Sequence, residues 1–329
     1  MKFFNLDLHV SVIQDIATLF QELGHEVVSK SISGHAWVFG KSADHVEVIN
    51  QNSWKLIDQK LADEFYERYK DELSDYDGFI VTHTPVFAIL FEKFDKPIIT
   101  VASTRYEAPY SNNKEKWRWF NSKLKSMIDR NQIIPIANNK YDKYYCEYFL
   151  DKGWQHIPSI CSYTKSKYNP TKEQFIFSGR TNLSQEKIIH IKSLYRHTWE
   201  ELYSYKGIIH LPYNMSLMSV FEQYTANVPL LFPSKELAVT LPSFLSEIFY
   251  PSSFLRTDFK EISDYETKLD LADFYDEEWM PYIQYFDSED DLELLVNKDF
   301  SEVSKAMLLF NDKKHKKVKA LWKGVLSKL

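Results

Sequence analysis

Apolar residues in the first half of the chain follow two alternating periods. Short continuous runs, such as IITV at 98–101, have the length and β-branched composition of buried strands. Between them lie segments with apolar residues every three or four positions. In residues 11–24, for example, Ile13 and Phe20 share one helix face and Gly24 follows as a stop. Strands that alternate with helices in this way predict a parallel sheet with crossover helices.

The pattern breaks near residue 160 and then resumes. The polar, aperiodic segment SYTKSKYNPTKE is interpreted as a linker. After it we predict a strand at FIFS, a long helix from about Gln185, a strand at GIIHLP, a helix over 216–226 and a strand at VPLLFPS. Two successive α/β sets predict two Rossmann-like domains, over 1–160 and 161–310. A ligand cleft is expected between them at the carboxyl ends of the strands.

Composition narrows the class of protein. The 329 residues are 44% hydrophobic, so the chain can bury a core, and no apolar run reaches the roughly 20 residues of a membrane span. The opening MKFFNLDLHVSV is interpreted as a strand rather than a signal peptide, since Asp7 and His9 interrupt it. Cys146 and Cys161 are too few for a metal cluster or disulfide framework, which indicates a reducing cytoplasmic setting. The net charge of −6 argues against a nucleic-acid partner.

Charge is unevenly distributed towards the end of the chain. Residues 264–302 contain fourteen acids and two lysines, whereas residues 311–329 contain seven lysines and one aspartate. The simpler interpretation is a solvated acidic surface beside a basic helix whose apolar face packs on the protein body. The alternative is that the basic helix contacts an anionic membrane surface or an acidic ligand, as in a peripheral membrane protein.

Residues 208–234 place polar groups between two apolar strands. The first strand ends at Pro212, and Ser216 is predicted as the N-cap of the next helix. A helix start offers backbone N–H groups and a positive dipole end, where phosphate binds readily. Glu222 lies about two turns along and has the chemistry to accept hydrogen bonds from neighbouring sugar hydroxyls. A ribose beside a diphosphate fits this arrangement.

This stretch resembles the donor-site motif of GT-B glycosyltransferases. In that motif a Glu lies on a helix seven residues before the Pro that opens the next strand, as Glu222 does before Pro229. The resemblance implies that Glu222 binds the ribose of a nucleotide-sugar and that the helix start holds the diphosphate. The residues at that start are Asn214, Ser216, Leu217 and Met218.

Two further segments extend the resemblance. FIFSGRTNLSQEK is similar to the family's strand-Gly-Arg motif, which implies that Arg180 and Lys187 hold the donor phosphates. The terminal helix, residues 311–329, is implied to cross back and pack on the first domain. One position departs from the pattern. Asn214 stands where the retaining branch with a Glu-x7-Glu pair has its first Glu, so the stereochemistry of transfer stays open.

A GT-B enzyme takes its acceptor-side groups from loops at strand ends of the first domain. His9 is the candidate general base, because the pKa of an imidazole lies near 7. His83 ends a buried strand before Pro85 and is the second catalytic candidate. For each the alternative is a purely structural role. The acceptor-side candidates are Asp7, His35, Trp37, Arg105 and Glu107.

The sequence therefore predicts a GT-B glycosyltransferase that moves a sugar from a nucleotide diphosphate donor to a hydroxyl of a glycan or glycoconjugate. The histidines lack ligand spacing such as H-E-x-x-H, so neither a metal nor another cofactor is expected. Two alternatives remain open: a nucleotide-sugar epimerase of the same fold, and a non-catalytic nucleotide- or sugar-binding protein. A DNA-modifying glucosyltransferase is disfavoured by the net charge.

Overall fold

The computed structural model divides the chain into two compact units. Among the residues that the structure describes, the first contains Met1–Ser159 and Lys319–Leu329, and the second contains those from Ile160 to Val318. The residues described are 1–105, 110, 113–179, 186–241 and 268–329.

The first unit is built on a six-stranded parallel sheet. Its strands are β1 (Lys2–Asp7), β2 (Glu26–Ser31), β3 (Gly78–Val81), β4 (Ile98–Ala102), β5 (Ile133–Ala137) and β6 (Gln155–His156), in the order β2-β1-β3-β4-β5-β6. The central strands β3 and β4 are covered on both faces and are therefore apolar throughout. Strand β2 lies at the edge and carries polar residues along its length.

In the described residues of this unit, the helices between the strands are α1 (Val10–Glu22), α2 (Gln59–Tyr69), α3 (Lys114–Asp129) and α4 (Lys140–Leu150). The predicted apolar face of α1 is buried, and Gly24 beyond its end has a φ of +84°, which favours glycine. Helix α2 begins after Asp58, whose side chain accepts a hydrogen bond from the N–H of Leu61 and caps the helix.

The described part of the second unit contains a five-stranded parallel sheet, four helices and most of a fifth. The strands are β7 (Phe175–Ser178), β8 (Ile188–His190), β9 (Gly207–His210), β10 (Leu230–Pro233) and β11 (Gln284–Phe286), in the order β11-β10-β9-β7-β8. The helices are α5 (Trp199–Leu202), α6 (Met218–Thr225), α7 (Lys235–Ala238), α8 (Glu289–Val296) and α9 (Ser301–Leu326).

Both sheets share one strand order. In the first unit the chain goes from β1 to β2 on one side and returns to the other side of β1 as β3. In the second unit β7, β8 and β9 repeat that path. Ligands of doubly wound sheets bind at the carboxyl ends of strands where this reversal occurs. The prediction of two Rossmann-like domains is confirmed by this repeated topology.

The long helix predicted from about Gln185 is wrong. Strand β8 lies there instead, with Ile188 paired to Phe175 of β7, and the 3-10 turn Ile191–Leu194 and the four-residue helix α5 follow before β9. The consecutive β-branched residues Ile188 and Ile189 favour a strand, and the neighbouring strand β7 supplies the pairing that a helical pattern could not reveal.

The terminal helix α9 is amphipathic and 26 residues long. Its last part, Lys319–Leu329, groups with the first unit. There Trp322 packs edge-on against Phe20 of α1 with ring centroids 5.2 Å apart, and Lys319 donates a hydrogen bond of 3.2 Å to Glu22. None of the helices in the described residues has both the length and the apolar character needed to cross a membrane.

Candidate active site

Asp7 ties together the two strands at the reversal point of the first sheet. Its carboxylate is completely buried and accepts hydrogen bonds from the N–H groups of Leu8 (2.7 Å), Thr82 (2.9 Å) and His83 (3.0 Å). Burial raises the pKa of Asp7 to about 7, although the N–H donors oppose this shift. A buried carboxylate cannot reach an acceptor directly, so Asp7 has a supporting role rather than the predicted acceptor contact.

His9 and His83 lie together at the same reversal point. His9 lies two residues after the end of β1 and is the N-cap of α1. Its ring centroid is 5.4 Å from that of His83. Burial lowers the pKa of His9 to about 4, with a further contribution from His35, and lowers that of His83 to about 3. Both imidazoles are therefore neutral at pH 7, the form that accepts a proton.

His35 and Trp37 occupy the 3-10 turn Gly34–Phe39, which follows β2 at the same edge of the sheet. The hydroxyl of Ser33 caps this turn by accepting the N–H of His35 at 3.1 Å. The side chain of Trp37 is 56% exposed and is not part of the core. Although three histidines approach this edge, no group of three or more His, Cys, Asp or Glu side chains in the described residues is placed to hold a metal ion.

Arg105 is anchored beside the end of β5. Its guanidinium lies 3.8 Å from the buried carboxylate of Asp142 and 5.2 Å from the ring centroid of Tyr141. Burial raises the pKa of Asp142 and the charge of Arg105 opposes that shift. Only 15% of the Arg105 side chain is exposed, so its charge interacts mainly with groups of the first unit such as Asp142. The candidate Glu107 lies outside the described residues.

The loop after β9 corrects the predicted start of the next helix. Helix α6 begins at Met218 and its N-cap is Leu217, with no side-chain hydrogen bond at the cap, so Ser216 is not the N-cap. The side chain of Asn214 accepts the N–H of Met215 at 2.8 Å, and the carbonyl of Met215 accepts the N–H of Asp273 at 3.0 Å. These bonds keep the chain irregular as far as Leu217, which has extended backbone angles.

Glu222 is held by two protein donors. The hydroxyl of Tyr163 donates to Oε1, and the indole N–H of Trp199 donates to Oε2 at 3.2 Å. The carboxylate is half-buried. Tyr163 lies in the predicted linker and Trp199 in the predicted long helix, and neither was predicted as a site residue because only the fold brings them to Glu222.

His210 joins α6 to the end of β9. The side chain is buried, its Nε2 lies 2.7 Å from the amide oxygen of Gln223, and its ring stacks on Phe232 with centroids 4.8 Å apart. Burial lowers the pKa of His210 to about 4. This neutral contact fixes the helix that carries Glu222 against the reversal point between β7 and β9. His210 is not among the site residues predicted from the sequence.

Of the two predicted phosphate-binding cations, Arg180 lies outside the described residues. Lys187 immediately precedes β8, where its Nζ donates to the side chain of Asn297 at 2.5 Å. Because all strands of the sheet are parallel, the start of β8 is at the edge opposite the ends of β7 and β9. The assignment of Lys187 to the donor phosphates is therefore corrected.

No protein-family model matches the sequence, and no curated protein is significantly similar to it. Among solved structures, the chain is similar in fold to the glycotransferase of kitacinnamycin, with 9% identity, a TM-score of 0.48 and coverage of 99% of this chain and 98% of that one. It is similar to SnogD from Streptomyces nogalater, with 10% identity, a TM-score of 0.48 and coverage of 99% and 98%.

A third similar structure is the glycosyltransferase VinC in complex with dTDP, with 9% identity, a TM-score of 0.45 and coverage of 100% of this chain and 99% of that one. All three are distant similarities that extend along the whole chain. The proposal that follows therefore rests on the residues of this chain.

Proposed function

We propose that this chain is a glycosyltransferase that moves a sugar from a nucleotide diphosphate donor to a hydroxyl of a glycan or glycoconjugate, with no required metal. One observation carries the proposal: each sheet has a reversal point, and chemically distinct polar groups lie at the two points. Neutral imidazoles lie at the first, and the segment from Asn214 to Glu222 follows the second.

The second unit supplies the donor chemistry in this proposal. The backbone N–H groups at the start of α6 and the positive end of its dipole suit a diphosphate. Glu222 lies one turn further along, with its carboxylate oriented by Tyr163 and Trp199, and suits the vicinal hydroxyls of a ribose. Arg180 remains a candidate from the sequence for charge neutralisation of the diphosphate.

The first unit supplies the acceptor chemistry. The acceptor oxygen bonds to the anomeric carbon while the bond from that carbon to the diphosphate oxygen breaks, and the electron pair leaves with the diphosphate. A neutral His9, or His83 beside it, takes the hydroxyl proton in an inverting reaction. In a retaining reaction the leaving phosphate takes the proton. Because Asn214 stands where the retaining branch has its first Glu, both inversion and retention of configuration stay open. Donors at the start of α6 stabilise the charge that develops on the diphosphate.

The test is to incubate the protein with a panel of nucleotide-sugars and hydroxyl acceptors, with and without EDTA, and to measure transfer and nucleotide release. The proposal expects transfer or slow hydrolysis from at least one donor. NMR of the donor alone separates epimerisation from transfer. Binding of a donor without any turnover would leave a nucleotide-binding protein and overturn the catalytic proposal, whereas loss of activity only with EDTA would overturn its metal-free part.

A further inference from the structure

Helix α9 turns its apolar stripe inward and leaves a charged side open to solvent. Within the second unit Met307, Lys314 and Val318 are buried and mark the inward side. Leu308 and Leu309 lie outside that stripe and are 48% and 66% exposed. Single leucines at a surface are normal, but two adjacent exposed leucines within a basic segment indicate a contact surface.

Positive charge lies on the same side of the helix. Lys313 and Lys316 are exposed and form no ion pair within the described part of the chain. By contrast, Lys305 and Lys317 are paired with carboxylates at 2.6 and 2.9 Å. Leu309, Lys313 and Lys316 follow the spacing i, i+4, i+7, which places them on one side of an α-helix within about 10 Å. An exposed leucine therefore adjoins two lysines that remain available to an anion.

Two more lysines extend this surface towards the segment before β7. Lys165, Lys167 and Leu308 line one cavity, so this segment lies beside α9. Both lysines are exposed, and neither is ion-paired among the residues that the structure describes. Asp312 of α9 lines the same cavity and offsets part of their charge.

We call the four lysines and two leucines the α9 surface: Lys165, Lys167, Leu308, Leu309, Lys313 and Lys316. With four lysines beside one aspartate, this surface is positive although the net charge of the chain is −6. A positive surface on a negative chain favours one orientation towards an anionic partner.

We propose that the α9 surface binds the headgroup layer of an anionic lipid bilayer, with the lysines at lipid phosphates and the two leucines inserted between headgroups. Basic side chains around apolar ones are the pattern that holds a peripheral helix at such an interface. Each lysine carries its charge on a flexible stem and can follow mobile headgroups. The inference stands apart from the proposed glycosyl transfer, since no donor or acceptor takes part in it.

The composition of the α9 surface favours lipid over an acidic protein. Specific protein interfaces are enriched in aromatic residues and Arg and depleted in Lys. The α9 surface has the reverse composition, with four lysines and neither an aromatic residue nor an arginine. Lysine also lacks the planar fork through which arginine pairs with a carboxylate in two bonds. An acidic polypeptide is therefore included in the experiment as a competitor.

The experiment is sedimentation of the full-length chain with vesicles of phosphatidylcholine alone, or of phosphatidylcholine mixed with phosphatidylglycerol, at low and at high ionic strength. The charge variant is Lys313→Gln/Lys316→Gln. The apolar variant is Leu308→Gln/Leu309→Gln, which keeps the charge of the surface. Thermal melts check that every variant folds.

The matched control is Lys192→Gln/Lys298→Gln. It removes the same charge as the charge variant, from exposed positions of the second unit that lie outside the α9 surface. Polyglutamate is the soluble acidic competitor, added at a concentration of negative charge equal to that of the vesicles.

Wild-type protein should bind the mixed vesicles, bind phosphatidylcholine alone much more weakly, and dissociate as the ionic strength rises. The charge variant should weaken binding to mixed vesicles about tenfold or more, because each lysine near an anionic surface contributes to the attraction. The apolar variant should weaken it at least about threefold, because insertion of the leucines is lost. The control should change it less than about twofold.

Absence of binding to mixed vesicles at low ionic strength would overturn the proposal. Equal losses in the charge variant and the control would show a general effect of charge and would overturn it as well. Unchanged binding of the folded apolar variant, or complete displacement from the vesicles by polyglutamate, would indicate a site for an acidic polypeptide in place of a membrane surface.

Discussion

The hydroxyl of Tyr163 donates a hydrogen bond to Oε1 of Glu222. With the indole of Trp199 on Oε2, the carboxylate is fixed in one orientation before any ligand arrives. A ligand hydroxyl then loses less free energy to ordering of the side chain than it would at a mobile glutamate. The residue that determines this orientation is 59 positions away in the sequence.

Glu222→Ala should weaken binding of the nucleotide-sugar, because charge-assisted hydrogen bonds are worth about 1.5–3 kcal/mol, or about ten- to a hundredfold in affinity. Tyr163→Phe should weaken it less, since the carboxylate remains and only its orientation is loosened. Calorimetry with a donor measures both. Glu293→Ala, at an exposed position of α8, is the control. Unchanged donor affinity in a folded Glu222→Ala variant would contradict the donor site.

His9→Ala should lower transfer by about 10² to 10⁴-fold and leave donor affinity nearly unchanged, if His9 is the general base. The pKa of about 4 puts the acidic limb of the wild-type profile near pH 4, because activity rises as the imidazole loses its proton. That limb should disappear in the variant. Turnover is followed against pH, and the anomeric configuration of the product is determined by NMR.

A His9→Ala variant that melts earlier but keeps its turnover would identify His9 as a structural residue. The same experiment on His83→Ala would then test the neighbouring imidazole. Retention of configuration would count against any protein base of this kind.

Asp7→Asn should destabilise the first unit. The amide nitrogen cannot accept an N–H group, and each buried group left unsatisfied costs about 1–3 kcal/mol. Asp77→Asn is the matched control, because the carboxylate of Asp77 accepts only the N–H of Lys2, at an exposed position. Thermal unfolding measured by circular dichroism should show a clearly larger decrease for Asp7→Asn. Equal decreases would refute the supporting role of Asp7.

Lys187→Ala should leave donor affinity unchanged within about twofold, because Lys187 lies at the edge of the sheet opposite the ends of β7 and β9. Its hydrogen bond to Asn297 is exposed, so stability should also change little. Titration with a nucleotide-sugar donor measures the affinity of this variant and of Glu222→Ala side by side. A tenfold loss would restore Lys187 to the donor phosphates.

The second unit should lose stability as the pH falls from 7 to 5, partly through His210. Its folded pKa of about 4 lies below the ordinary histidine pKa of 6.5, so the unfolded state binds the extra proton in this interval and is favoured by about 2 kcal/mol. The double variant His210→Phe/Gln223→Leu removes both partners of this hydrogen bond. Its free energy of unfolding should therefore fall by about 2 kcal/mol less than that of the wild type over the same pH interval. Urea unfolding at the two pH values measures it, with the exposed His45→Phe as control. An unchanged pH dependence would contradict the assignment.

Local sequence determined the elements whose burial pattern was unambiguous. The apolar face of α1 with Gly24 at its end, and the apolar runs of β3 and β4, predict those elements because side-chain burial follows the helix and strand periods directly. The succession of these elements was sufficient to predict two Rossmann-like domains. It also made Glu222 a candidate ligand-binding residue, because its helix lies between two apolar strands, and that assignment stays a prediction.

Tertiary structure decided what depends on pairing between distant residues. Strand β8 exists because Ile188 pairs with Phe175. Because that pairing is parallel, Lys187 lies at the edge of the sheet where the strands begin. The start of α6 was set by the anchoring of Met215 to Asp273, not by the capping preference of Ser216. Burial likewise makes Asp7 a support for His83 rather than an acceptor contact. Hydrogen bonds and burial that join distant segments leave no periodic signal in the sequence, so only the folded chain reveals them.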